Sequence, residues 1–394
     1  MKRKYGFVFI AAALIAVFII CSKDRDGGNE ISDVPAPANI FRQTNWPIFR
    51  GNRAFTGVST TTIPDEPVLV WTFKTKDSVF SSAAIADGVV YVGSMDEHLY
   101  AVQLSDGKEI WKFKAADSIE APVFVHNKVV YVSDMSGVLY ALSAEKGDLK
   151  WKYETSGKIT GSANVIADTD GNALQIVVGS HDKKLYGVNA TTGKNVWTYT
   201  TENYINGSPA VHDNQIVFGG CDAYLHIVGF DGAGIATIKT GSYIAGSASL
   251  SGGQAFVGNY GNQLLCADME TEDIVWRFGD EDDGSPFFSS PAVAADRVIA
   301  GSRDNKVYCL DRKNGKEIWS FATRDQVDSS PVVCRDRVIA ASCDNRIYIL
   351  NLNNGKMIWS YQTGGEIKAS PAVASGMIVI GSDDGYIYAF GAKQ

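Results

Sequence analysis

A tryptophan that recurs at a nearly constant interval is the feature that most limits how this chain can fold. The seven tryptophans of the series are separated by 40, 40, 46, 79, 43 and 40 residues: Trp71, Trp111, Trp151, Trp197, Trp276, Trp319 and Trp359. The interval of 79 spans two periods, because GIATIKTGSYIAGS aligns with NVWTYTTENYINGS and puts Ala236 where a tryptophan would stand. Self-similarity at this period indicates a repeat architecture, so the sequence predicts eight units.

Each unit contains four short apolar runs separated by turn residues. In the seventh unit the runs read SPVVC, RVIAAS, RIYIL and KMIWSYQ. Such runs are typical of strands in an antiparallel meander, and no segment of the repeats shows a sustained helical period. A four-stranded unit cannot bury both of its faces alone, whereas units stacked around an axis cover one another. The sequence therefore predicts an all-β fold, an eight-bladed β-propeller of four-stranded antiparallel blades.

The two ends of the repeat region are incomplete in complementary ways. The last unit stops at its third run, Tyr386–Phe390, and lacks a tryptophan strand, while the tryptophan strand Val68–Lys74 precedes every other run. We expect these two segments to pair and to complete the eighth blade, because closing the ring removes exposed sheet edges.

A glycine lies four residues before the tryptophan in five of the units. It follows Asn, Asp, Lys or Thr in the turn between the third and fourth strands, where a positive φ favours glycine. These residues are Gly107, Gly147, Gly193, Gly315 and Gly355. We expect the tryptophans and these turns to form the contacts that dock one blade on the next, with each indole ring lying across the gap between units.

The repeated pattern small-x-Asp-x-x-x-Gly-Lys-x-x-Trp resembles the tryptophan-docking motif of the pyrroloquinoline quinone (PQQ)-type eight-bladed propellers. Close matches are CLDRKNGKEIW from Cys309 and GVNATTGKNVW from Gly187, and NWPIFRGNRAFTGVS, from Asn45 to Ser59, resembles the segment that often precedes such propellers. The resemblance implies one of two functional classes. One class is the quinoprotein dehydrogenases, and the other is non-catalytic propellers such as the lipoprotein subunit BamB of the outer-membrane β-barrel assembly machinery.

The non-catalytic branch fits this sequence better. The dehydrogenases of the family usually carry adjacent cysteines beside the quinone, calcium ligands near the axis and long insertions that cover the cofactor. No two cysteines are adjacent here, and the units keep a nearly constant length. The five histidines show no metal-ligand spacing. We therefore expect no enzyme activity, no catalytic residue, no metal and no cofactor; a PQQ-dependent oxidoreductase is one alternative.

The amino terminus indicates export. Lys2, Arg3 and Lys4 precede sixteen uncharged residues that end before Cys21, a pattern typical of a secretion signal. Cys21 resembles the lipid-attachment cysteine of bacterial lipoproteins, although Ile20 before it departs from the usual small residue; an uncleaved anchor and plain secretion are the alternatives. We expect a signal or anchor over residues 1–21, a flexible linker over 22–45 and the propeller over 46–394. The protein would then be periplasmic or on the cell surface and anchored to a bacterial membrane. If Cys21 is lipidated, we expect that membrane to be the outer membrane.

One variable position in each unit falls at the axial end of the first strand. With Ala245 at the fifth position, the other seven are Phe80, Glu120, Thr160, Asn206, Phe288, Asp328 and Lys368. This mixed rim suits a protein or peptide contact better than a quinone or metal site. The net charge of −8 argues against a nucleic-acid partner. The sequence thus predicts a scaffold that binds protein partners through one loop face, with outer-membrane protein assembly as the suggested process; a ligand- or glycan-binding sensor is the other alternative.

Overall fold

The protein folds as an eight-bladed β-propeller in the computed structural model, which describes residues 43–282 and 284–393. In this part of the chain every regular element is a strand, so no helix there could cross a membrane. The predicted signal or anchor over 1–21, with Cys21, and most of the predicted linker over 22–45 lie outside the described residues.

Each blade is a four-stranded antiparallel meander that runs from the axis outward. The strands of blades 1 to 4, in chain order, are these: Ala84–Ala86, Val89–Gly93, His98–Gln103 and Glu109–Lys114; Phe124–His126, Val129–Ser133, Val138–Ser143 and Leu149–Glu154; Asn164–Ala167, Ala173–Ser180, Lys184–Asn189 and Asn195–Thr200; Ala210–His212, Gln215–Gly219, Tyr224–Gly229 and Gly234–Lys239. Those of blades 5 to 8 are these: Ser249–Ser251, Gln254–Gly258, Leu264–Asp268 and Ile274–Phe278; Ala292–Val293, Arg297–Ser302, Lys306–Asp311 and Glu317–Ala322; Val332–Cys334, Arg337–Ser342, Arg346–Asn351 and Met357–Gln362; Ala372–Ala374, Met377–Gly381, Tyr386–Gly391 and, from the other end of the repeat region, Val68–Lys74.

The eighth blade confirms the predicted closure. Val68–Lys74 pairs antiparallel with Tyr386–Gly391, and Trp71 lies opposite Ala389. The third strand of each blade is buried almost along its whole length, whereas the outer strand alternates between covered and exposed residues. This pattern follows from stacking, because inner strands have a neighbouring sheet on both sides and outer strands face solvent at the circumference.

Each indole ring at the circumference lies against the next blade. Trp71 donates its Nε1–H to the carbonyl of Leu104 at 2.7 Å, and its ring occupies the space that a Cβ on Gly107 would need. The same pairing joins Trp111 to Gly147 and Trp276 to Gly315. The glycine that precedes one tryptophan therefore receives the tryptophan of the blade before it.

The interface between blades 4 and 5 departs from this arrangement on both sides. Ala236 stands at the tryptophan position of blade 4, and Glu272 takes the positive φ at the glycine position of blade 5. The two exceptions lie on the same interface, which fits a contact that needs both partners.

Residues 43–60 form a plug that touches all eight blades. Trp46 exchanges backbone hydrogen bonds with Ile85 of blade 1, and the carbonyls of the following residues accept hydrogen bonds from the inner strands of blades 2 to 7. The two-residue strand Val58–Ser59 then pairs in parallel with Val332–Cys334, and the Ser59 hydroxyl reaches Val373 of blade 8. The plug enters beside the turn between the first and second strands of blade 1, where Asp87 donates its N–H to Asn45. It therefore closes the axial channel toward that face.

Candidate functional site

The opposite face carries the loops between successive blades together with the turns between second and third strands. We call it the loop face. The two kinds of segment are joined by one backbone hydrogen bond in every blade, for example from Tyr260 to Tyr243 at 2.8 Å and from Met95 to Ser78 at 2.9 Å. The loop face is thus built from two rings of connecting segments held in register by the sheets.

A cavity of about 560 Å³ opens at the centre of the loop face. All eight rim positions chosen from the sequence line this cavity, and Phe49 of the plug lies at its inner end. We call it the axial cup, since the plug closes the other end of the channel. The structure therefore brings the rim residues together around one space.

Charged groups stand on opposite sides of the rim. Burial raises the pKa of Glu120 above its usual value, although Lys158 and Lys368 partly offset that effect. Arg303 forms a two-point hydrogen bond with the carboxylate of Asp328, at 2.8 and 2.7 Å. The charge of Asp328 is therefore already matched within the protein, whereas Glu120 is held in a partly desolvated position.

Lys368 forms ion pairs with two carboxylates, Glu366 and Asp383, both at 2.9 Å. Burial acts to lower the pKa of Lys368, but these hydrogen bonds outweigh it and raise the pKa above its usual value. The ammonium nitrogen also lies 5.1 Å from the centre of the Phe80 ring. Lys368 is thus held as a cation beside an aromatic wall of the cup.

The two neighbouring phenylalanines of blade 6 have different positions. Phe287 is 3% exposed and packs against Phe278 of blade 5 and Tyr308 of blade 6. Phe288 lines the cup, with the Arg303 guanidinium 3.5 Å from its ring centre. Phe288 is the residue predicted at the rim, and the alternation of side chains along an extended segment separates it from Phe287.

Exposed tyrosines lie beside the cup in one sector of the loop face. Tyr204, Tyr243 and Tyr260 are 48%, 52% and 42% exposed. They are the aromatic side chains among the exposed large hydrophobic residues of the described part of the chain. Tyr260 lies 4.5 Å from Phe288 between ring centres, and Tyr204 stacks on His181 at 5.2 Å. These tyrosines were not predicted from the sequence, although Tyr204 and Tyr243 occupy equivalent inter-blade loop positions; Tyr260 lies in the turn between the second and third strands of blade 5.

A second level of the cup is formed by serines two residues beyond the rim positions. In most blades the serine Oγ accepts a hydrogen bond from the backbone N–H of the equivalent residue in the preceding blade. The chain of bonds runs through Ser162, Ser208, Ser247, Ser290, Ser330, Ser370 and Ser82, at 2.8 to 3.0 Å. We call this set the serine ring. Pro122 of blade 2 interrupts it, because proline has neither the hydroxyl nor the N–H.

The acidic, histidine and cysteine side chains of the described residues are dispersed around the ring. No group of three His, Cys, Asp or Glu side chains in the described part of the chain comes close enough together to hold a metal ion. The two acids of the rim, Glu120 and Asp328, belong to blades 2 and 7, and Asp328 is already bonded to Arg303. The five cysteines among these residues are free thiols, and Cys266 and Cys309 are buried between sheets.

Comparison with known proteins identifies relatives of this fold. The family model described as "Outer membrane protein assembly factor BamB" matches residues 65–218, 170–237 and 281–394. No curated protein matches the sequence. Among solved structures, BamB from Moraxella catarrhalis is 22% identical, with a TM-score of 0.70 over 83% of this chain and 98% of that one.

Enzymes share the same architecture. The quinohemoprotein alcohol dehydrogenase ADHIIG from Pseudomonas putida HK5 is 14% identical, with a TM-score of 0.75 over 89% of this chain and 81% of that one. A europium-containing methanol dehydrogenase is 12% identical, with a TM-score of 0.71 over 89% and 98% of the two chains. At these identities the likeness concerns the fold alone.

Proposed function

This chain belongs to the family of the outer membrane protein assembly factor BamB, and we propose that it is an exported, membrane-tethered scaffold that binds protein partners in outer-membrane protein assembly. The loop face would carry the contact. In this proposal the propeller is a rigid support, and the axial rim and the neighbouring tyrosines supply recognition.

The observation that carries the proposal is the group of exposed tyrosines beside the cup. Tyrosine is enriched at the centres of protein interfaces, because its ring buries a large area at a small entropic cost while its hydroxyl still finds a partner. Tyr243 and Tyr260 lie 6.4 Å apart between ring centres, and Phe288 extends the group to the cup. A patch of this kind on one face of a monomer favours protein recognition.

The experiment compares two triple variants of the full chain expressed in a bacterium with an outer membrane. One variant replaces Tyr204, Tyr243 and Tyr260 with serine. The matched control replaces Ile110, Val275 and Ile318, which are 45%, 46% and 43% exposed on outer strands. After crosslinking in membranes and affinity purification, we expect the wild type and the control to recover components of the β-barrel assembly machinery and the tyrosine variant to lose them.

Two results would contradict the proposal. Equal recovery by both variants would remove the loop face as the contact surface. Recovery of only a sugar-uptake or signalling system would replace outer-membrane assembly with the sensor alternative. A separate assay with added PQQ and calcium tests the oxidoreductase alternative, for which turnover of an alcohol with an electron-accepting dye would be the positive result.

A further inference from the structure

The serine ring leaves hydrogen-bond donors directed at the axial cup. Six of its hydroxyl oxygens accept a backbone N–H, and none of the six donates to another group of the described residues: Ser82, Ser208, Ser247, Ser290, Ser330 and Ser370. All six line the cup and are 2–6% exposed. A hydroxyl has one donor and two acceptor sites, so each of these serines keeps its proton for a group inside the cup.

These donors are stronger than isolated hydroxyls. A hydroxyl that accepts a hydrogen bond is polarised and becomes a better donor, and the effect grows where water is largely excluded. Consecutive blades place the hydroxyls side by side along an arc, and Ser162, whose hydroxyl donates to Ala163, is the member that does not take part. The wall of the cup at this level therefore favours a group rich in acceptor oxygens.

The dimensions of the cup favour a molecule over a bare ion. Eight inner strands about 5 Å apart form a ring roughly 13 Å across between backbones, too wide for one ion to contact opposite serines. The rim lies about 6–7 Å above the serines, since two residues of extended chain separate the levels. A volume of about 560 Å³ is in the usual range for a small organic ligand or the end of a peptide.

Lys368 lies above one side of the ring, where it forms ion pairs with Glu366 and Asp383. Lys368 precedes Ser370 by two residues and lies beside Phe80, which precedes Ser82 in the same way. The nearest acid of the rim, Asp328, is matched by Arg303, while Glu120 stands on blade 2. The arc Ser330–Ser370–Ser82 thus combines free hydroxyl donors and an aromatic wall with an ammonium group above them that also bonds Glu366 and Asp383.

We propose that the axial cup binds a carboxylate-bearing ligand whose anionic oxygens accept hydrogen bonds from the Ser330–Ser370–Ser82 arc beneath Lys368. The carboxylate comes either from a free small molecule or from the carboxyl terminus of a polypeptide. The second source would deepen the scaffold function proposed above, whereas the first is independent of it. The apolar part of the ligand lies against Phe80 and Phe288.

The test titrates the full, folded chain with three probes by isothermal calorimetry: N-acetyl-Ala-Ala-Phe with a free carboxyl terminus, the same peptide as its amide, and 3-phenylpropionate. We expect the peptide acid to bind at least about tenfold more tightly than the amide, because charge-assisted hydrogen bonds to a carboxylate are about twice as strong as neutral ones. Tighter binding of the peptide acid than of 3-phenylpropionate assigns a polypeptide terminus; the reverse order assigns a free carboxylate. No saturable binding of either acid, or equal binding of acid and amide, overturns the proposal.

Three variants locate the site. Ser370→Ala removes one donor and should weaken binding about five- to tenfold, while Ser370→Thr keeps the hydroxyl and should restore it. Ser105→Ala, an exposed serine of a distant turn, is the matched control. Ser370→Ala also removes the oxygen that accepts the Ser330 N–H, so this variant is expected to be less stable. Pro122→Ser is an independent variant, because it adds a hydroxyl beside Ser82 and should tighten binding. If the affinity for the peptide acid is unchanged in both Ser370→Ala and Pro122→Ser, the carboxylate site is not at the serine arc. This result is independent of whether the assembly partners are recovered.

Discussion

The contact between an indole ring and the turn glycine of the next blade makes a measurable prediction for Gly315. This residue has φ of +70°, and a Cβ built on it would lie 2.6 Å from Cε3 of Trp276. Replacing it with alanine should cost about 1–2 kcal/mol for the left-handed backbone and about 1–3 kcal/mol for the overpacked ring. The expected loss of unfolding free energy is therefore about 2–5 kcal/mol.

Gly88 supplies the matched control. Its φ is +77°, close to that of Gly315, but no atom lies within 4 Å of the Cβ position. Gly88→Ala should therefore cost only the backbone contribution, about 1–2 kcal/mol. The difference between the two substitutions isolates the indole contact, because both remove the same conformational freedom from the unfolded chain.

A double-mutant cycle with Trp276 completes the test. In a Trp276→Ala background, Gly315→Ala should fall to about the cost of Gly88→Ala, giving a coupling energy of about 1–3 kcal/mol. Urea unfolding followed by far-ultraviolet circular dichroism measures each free energy, with the denaturant dependence checked for constancy across variants. Equal costs at Gly315 and Gly88, or no coupling to Trp276, would refute the docking role of the tryptophans and glycines.

Three further substitutions test other levels of the structure. Trp71→Ala should cost about 3–5 kcal/mol in urea unfolding and more than Trp359→Ala, since Trp71 is 7% exposed and bonds the next blade whereas Trp359 is only half-buried; the opposite order would contradict the importance of the closing strand. Tyr199→Phe should cost about 1 kcal/mol because the Tyr199 hydroxyl bonds Nδ1 of His226 at 3.1 Å, while Tyr153→Phe at the equivalent position of blade 2 should cost almost nothing. Glu120→Gln should stabilise the fold at neutral pH, because burial raises the pKa of Glu120 in the folded state and its ionisation then opposes folding; the gain should shrink as the pH falls through that raised pKa, and a gain equal to that of exposed Glu145→Gln at every pH would show that burial of Glu120 has no effect.

The architecture was accessible from the sequence because it depends on periodicity. The tryptophan spacing gave the number of blades, and the unpaired segments at the two ends gave the closing pair, Val68–Lys74 with the last strand. The first inference uses the period of the repeat, and the second uses the strand that each end of the repeat region lacks. Both can be read directly from a repeated sequence. The eight rim positions were found for the same reason, since a loop position at fixed register in each repeat must face the axis in every blade.

The plug was not accessible in this way. Residues 45–59 were recognised only as a segment that accompanies such propellers, and their path around the axis is held largely by backbone carbonyls that accept N–H groups of successive blades. Carbonyls are present at every residue and leave no pattern in the side chains. The path therefore depends on the finished ring, in which blades 1, 2, 4, 5, 6 and 7 each present an equivalent inner-strand N–H.

The serine ring had a signal in the sequence that no prediction used. The motifs SSPAV, GSPAV and ASPAV repeat a serine at one register, but a column of small residues is also what close packing between sheets produces. Only the structure shows that each Oγ accepts the N–H of the neighbouring blade. The break at Pro122 was present in the sequence as well, and it becomes meaningful once that bond is known.

The departures from uniformity fall mainly in one sector of the ring, and this connects the fold to its proposed use. Blade 4 lacks the docking tryptophan, blade 5 lacks the receiving glycine, and His226 of blade 4 replaces the tyrosine that bonds an aspartate in blades such as blade 7. The exposed tyrosines Tyr243 and Tyr260 lie on the loop face of the same sector. Most of the other blade interfaces keep the tryptophan–glycine contact, so the local structure of this sector meets a different requirement. Exposed aromatic side chains are typical of recognition surfaces. If so, restoring the docking pair with Ala236→Trp and Glu272→Gly should leave partner recovery unchanged, whereas removal of the tyrosines abolishes it; loss of recovery in the restored variant would show instead that the irregular interface itself is required.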